Sequence, residues 1–140
     1  MTITPNHIYI TRNGQMARIY ATDGGSLPIH GAMLHENGWL ITHWYADGRA
    51  DPPGIPDPND LIREIALVWA LDGCLACDRE IELLAAEDYE AVVIDAEEFS
   101  KGIVPPFVDK ELAREVMAEI TTADEFPIVV IGGEIKRRKG

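Results

Sequence analysis

Between Asp51 and Asn59 the chain reads Asp-Pro-Pro-Gly-Ile-Pro-Asp-Pro-Asn, four prolines and a glycine in nine residues. A proline ring fixes φ and removes the backbone donor, so this stretch makes neither a regular helix nor an inner strand. It divides the sequence into a front module (1–50), a linker (51–59) and a back domain (60–140). Proline also stiffens a linker, so the two parts are expected to keep a fairly fixed separation.

The front module carries short runs of β-branched and aromatic residues, broken by glycine turns at Asn13-Gly14, Asp23-Gly24-Gly25, Asn37-Gly38 and Asp47-Gly48. That pattern predicts a small antiparallel β unit. Asn37-Gly38, between the apolar runs 28–34 and 39–45, is its strongest hairpin signal. All four histidines (His7, His30, His35, His43) lie here, and His35 and His43 are expected to face each other across the hairpin. The plainer reading is hydrogen-bonded strand histidines, because no cysteine and few well-placed carboxylates accompany them. Trp39, Trp44 and Tyr45 are read as core and cross-strand packing. The segments Ala17–Asp23 and Ala46–Arg49 resemble a small β module of uncharacterised phage and prophage proteins, which implies no activity.

In the back domain the only two cysteines stand as Gly73-Cys74-Leu75-Ala76-Cys77. An apolar run reading as a buried strand (about 63–71) precedes them, and a helix from Cys74 to Glu87 follows, with Cys77, Ile81, Leu84 and Ala85 on one face. A second buried strand follows at Ala91–Asp95, then a loop with Pro105-Pro106. The next helix runs from a capping Asp109 to Thr121, with Leu112, Val116, Met117 and Ile120 inward. Pro127–Ile131 reads as a third strand, and Gly132-Gly133 turns it into a fourth, Glu134–Arg137. The first two strands and the helix between them predict a right-handed parallel βαβ unit.

This order, β-CxxC-α-β-α-Pro-β-Gly-Gly-β, resembles the glutaredoxin branch of the thioredoxin superfamily over about residues 62–138. The resemblance implies an α/β fold, a βαβαββ domain of thioredoxin/glutaredoxin type lacking the last helix. It implies a thiol–disulfide oxidoreductase with Cys74 and Cys77 as the catalytic dithiol, and a cis Pro127 lying against it. Glu125, Phe126, Gly132 and Gly133 would join Pro127 in binding substrate. The sequence departs from the family where a lysine precedes the first cysteine, which here is Leu71, and it lacks a second Gly-Gly after Glu134. Asp72, Asp78 and Glu125 would oppose the two carboxylates of glutathione, so the expected partners are a disulfide-containing substrate and a dithiol donor or reductase.

From the residues alone, Cys74 at a helix start is the expected nucleophile and Cys77, one turn on, the resolving thiol. Asp72 and Asp78 work against thiolate formation at Cys74. No cofactor and no metal are expected, since a zinc knuckle would need two further ligands from the distant histidines. A net charge of −12 opposes nucleic-acid phosphates and anionic lipid, and the basic run Lys136–Lys139 reads as a solvated tail. With 46% hydrophobic residues, no membrane span and no basic-then-apolar leader at its start, the chain reads as soluble and cytoplasmic. The alternative reading is a non-catalytic, phage-type interaction protein or inhibitor built on a glutaredoxin-like scaffold.

Overall fold

A computed structural model describes residues 2–51, 55–123 and 125–136. The fold is mixed α/β, with eight strands and three helices among these residues. Two compact units divide the chain between Ile65 and Ala66.

The first unit is antiparallel. Strands β1 (Ile8–Thr11), β2 (Met16–Ala21), β3 (Ile29–His35) and β4 (Gly38–Trp44) pair in sequence order, and β1 also pairs with the first half of β5 (Leu61–Ala70). Alternation selects the core: Tyr9, Ala17, Ile19, Ile29, Met33, Trp44 and Leu61 cluster, with Ile3 and Ala50 packed on them. The Trp44 indole N–H, carried inside with its ring, donates to the Asn59 carbonyl at 2.8 Å.

The proline-rich stretch is bonded into this unit from Asp57 onward. Asn13 donates its N–H to the Pro58 carbonyl, Arg12 to that of Asp60, and Leu61 to that of Gly48. Pro52, Pro53 and Gly54 lie outside the described residues.

The hairpin forms where Asn37-Gly38 predicts it, but shifted by one residue. His35 pairs with Gly38, so Glu36 and Asn37 are the turn residues, and Gly38 opens β4 with φ +117°. The glycine is needed after the turn rather than inside it, as in hairpins that close with a positive-φ residue. This register corrects the histidine expectation: His43 stands opposite His30, with ring centroids 6.3 Å apart, and His35 instead bonds Gln15. Trp44 is in the core, as expected, and Trp39 lies under the Arg18 guanidinium, 4.0 Å from the ring centroid.

The second unit takes the other half of β5, then α1 (Leu75–Ala86), β6 (Tyr89–Asp95), α2 (Ala96–Ser100), α3 (Lys110–Ala123), β7 (Ile128–Ile131) and β8 (Glu134–Lys136). β6 pairs with β5, and β7 runs antiparallel to both β5 and β8. Residues Ile65–Trp69 are all buried, because both faces of β5 are covered. Ala66 and Val68 pack with Leu84 and Ile81 of α1, while the Trp69 ring meets Phe99 of α2 edge-on at 5.5 Å.

Three expectations change here. β6 is not buried throughout: Val93 is 52% exposed and Ile94 alone is fully buried, because β5 is the strand's one described neighbour. Ala85 is exposed, since it sits at the margin of the stripe that Cys77, Ile81 and Leu84 define. The stretch after β6 holds a short helix, α2, capped by the Asp95 carboxylate, which accepts the N–H groups of Glu97 and Glu98. On α3, Asp109 accepts the Leu112 N–H as expected; Leu112 and Val116 are buried, and Met117 and Ile120 are half-buried. Arg137, expected to end the last strand, and the rest of the basic tail fall outside the described residues.

Candidate functional site

The chain leaves the C-terminal end of β5 at Ala70 and turns through Leu71-Asp72-Gly73 into α1. Gly73 has φ +73°, a backbone region that side chains with a Cβ disfavour. Cys74 follows as the N-cap in an extended conformation, with its N–H donated to the Leu71 carbonyl at 3.3 Å. Its sulfur accepts the Cys77 N–H at 3.1 Å, which places it on the free amide end of the helix. Cys74 and Cys77 are joined as a disulfide, their Cα atoms 5.2 Å apart.

The two sulfurs are not equivalent. Cys77 is on the inward stripe of α1 and only 1% exposed, whereas Cys74 is half-buried at the helix start. Leu71, whose carbonyl accepts the Cys74 N–H, and Leu75, the residue after Cys74, are 41% and 83% exposed, so apolar side chains are exposed in the turn that carries Cys74. Asp72 and Asp78 are exposed, and Asp78 lies in the first turn of the helix.

Pairing of β5 with β7 decides which expected substrate residues reach this end. Trp69 is opposite Ile128, so the antiparallel register puts Pro127 beside Ala70 and brings Glu125 and Phe126 in at the end from which the Cys74 turn departs. The Phe126–Pro127 peptide bond is cis. Pro127 and Phe126 are half-buried and Glu125 is exposed.

Gly132 and Gly133 are placed elsewhere. They are the two central residues of the β7–β8 hairpin, with φ +63° and +76° and Ile131 paired to Glu134 on either side. Both need positive φ, as a type I′ turn requires. This turn is at the opposite end of β7 from Pro127, roughly 15 Å away at the rise of a strand. The hairpin itself is as the sequence predicts, Gly-Gly directly after the third strand.

Sequence reading missed the exposed leucines beside Cys74, since an apolar residue next to a cysteine reads as core. His7 bonds Glu64 at 2.6 Å. Among the described residues no three His, Cys, Asp or Glu side chains cluster as a metal site. No described helix is long and apolar enough to cross a membrane. No protein family, curated protein or solved structure matches the chain.

Proposed function

We propose that Cys74 and Cys77 are the redox centre of a thiol–disulfide oxidoreductase with a glutaredoxin-like βαβαββ domain. The observation that carries this reading is the asymmetry of the pair: a half-buried cysteine capping a helix, and a fully buried partner one turn behind it.

In the reduced protein the Cys74 thiolate attacks one sulfur of a substrate disulfide, forming a mixed disulfide and expelling the first substrate thiolate. Amide groups at the start of α1 stabilise the charge on Cys74 before attack. The Cys77 thiol, having lost its proton to solvent, then attacks the Cys74 sulfur. That step forms the Cys74–Cys77 disulfide, breaks the mixed disulfide and releases the second substrate thiolate, so two electrons have passed to substrate. A dithiol donor or a reductase returns the pair to its reduced form, in the cytoplasm. Leu71, Leu75, Phe126 and Pro127 offer the substrate an apolar seat, with Glu125 at its margin, while the Gly132-Gly133 turn serves the fold.

The test is reduction of insulin with dithiothreitol as donor. Wild type accelerates it, Cys74→Ser abolishes the acceleration, and Cys77→Ser accumulates a mixed disulfide visible by mass spectrometry. Equal rates for wild type and Cys74→Ser would sink the enzymatic reading and favour a non-catalytic interaction protein on the same scaffold.

A further inference from the structure

Two Asn-Gly pairs lie in turns of the first unit: Asn13-Gly14 between β1 and β2, and Asn37-Gly38 between β3 and β4. In such a pair the glycine nitrogen can attack the asparagine side-chain amide, because no Cβ on the glycine hinders the approach and one chain holds both reacting groups. The two pairs are alike in sequence, and the fold separates them.

At Asn13 both reacting groups are already engaged. Its side-chain oxygen accepts the Thr11 hydroxyl at 2.7 Å, and the Gly14 N–H is donated to the Thr11 carbonyl at 3.0 Å. Thr11 is fully buried and its hydroxyl oxygen accepts the Gln15 N–H at 3.0 Å, so the anchor is itself fixed. The Asn13 N–H reaches the Pro58 carbonyl at 3.1 Å, which ties the same turn to the proline-rich stretch. At Asn37 the exposed side chain has no hydrogen-bond partner among the described residues. Gly38 stands opposite His35 at the end of the β3–β4 ladder, and the space where its Cβ would be is open. Reaction there requires at most that one rung to open.

We propose that Asn37 is a site of spontaneous deamidation, and that the hydrogen bonds to Thr11 protect Asn13 from the same reaction. The Gly38 nitrogen gives up its proton to solvent base and bonds to the Asn37 side-chain carbonyl carbon. The C–N bond to the side-chain amide breaks, and ammonia leaves with a proton taken from water. The succinimide that results then takes up one water. Opening at the side-chain carbonyl gives aspartate, opening at the main-chain carbonyl gives isoaspartate, and no oxidant or reductant takes part. Either product adds a carboxylate next to Glu36. Isoaspartate also lengthens the backbone within the turn that joins β3 to β4, so the His35–Gly38 rung is the contact it disturbs.

The experiment follows both sites in the full chain by peptide mapping and mass spectrometry during incubation in mildly alkaline buffer, with and without denaturing urea. In the folded protein Asn37 should convert to a mixture of isoaspartate and aspartate about fivefold or more faster than Asn13, since the Asn13 turn has more hydrogen bonds to open before attack. In urea Thr11 no longer holds Asn13, and the two rates should draw close together. Asn37→Gln should remove the dominant conversion and leave that of Asn13 unchanged. Asn13 reacting as fast as Asn37 in the folded chain, a ratio that urea leaves unaltered, or an Asn37 that stays intact while the unfolded chain converts would each overturn the proposal.

Discussion

Asp60 shows how one carboxylate ties the proline-rich stretch to the first unit. It is almost fully buried, and its side chain accepts from the Ala50 N–H at 2.9 Å, the Asp57 N–H at 3.0 Å and the Arg12 guanidinium at 3.3 Å. Burial pushes its pKa up, but the two backbone donors and Arg12 outweigh that and hold it below the usual carboxylate value. A carboxylate whose folded pKa is depressed stabilises the fold above its unfolded pKa and loses that contribution as pH falls through the folded one. Asp60→Asn should therefore cost about 1–3 kcal/mol in urea unfolding at pH 7, and the gap from wild type should narrow below pH ~4. A gap that stays constant with pH would refute the role of its charge. None of this was legible from Asp60 itself, because its partners come from residues up to 48 positions away. Cys74 was legible, since CxxC after an apolar run announces a capped helix by local spacing alone.

Strands and helices followed their local signals wherever one periodicity dominated. Ile65–Trp69 reads as a strand buried on both sides because it is one, and the 77, 81, 84 spacing fixes the packed face of α1. Leu84→Ala should accordingly cost about 2–5 kcal/mol, read from the shift in urea midpoint, whereas Ala85→Ser on the exposed margin should change it little. Equal effects would mean that α1 packs through another stripe. What the sequence hid was set by neighbours. The hairpin register moved by one residue because Gly38, rather than Asn37, takes the positive φ. Short α2 was overlooked although Asp95-x-Glu97-Glu98 is a capping signal, since five helical residues are too few to show a period. At the site, Gly132-Gly133 forms the expected turn between β7 and β8, and only the strand pairing shows that this turn lies at the far end of β7 from Pro127.

At the scale of the whole molecule, the boundary between the two units falls inside β5, a single ten-residue strand whose first half pairs with β1 and whose second half pairs with β7. Charge is the property that acts across this scale. Asp72 and Asp78 flank the dithiol turn and Glu125 reaches the same end of the sheet, in a chain of net charge −12. Glutathione-driven turnover should therefore be slower than dithiol-driven turnover. Neutralising all three acids (Asp72→Asn, Asp78→Asn, Glu125→Gln) should raise the glutathione rate about two- to fivefold at low ionic strength, and less in salt. An unchanged rate would show that these acids do not govern the choice of donor. The central claim, that Cys74 and Cys77 cycle rather than merely brace the start of α1, is tested most directly by the reduction potential of the pair, titrated in dithiothreitol buffers and read by thiol alkylation. A cycling dithiol should fall between about −270 and −180 mV, where cellular dithiol reductants and isomerases operate; a value below about −300 mV would mark a structural disulfide and contradict the account.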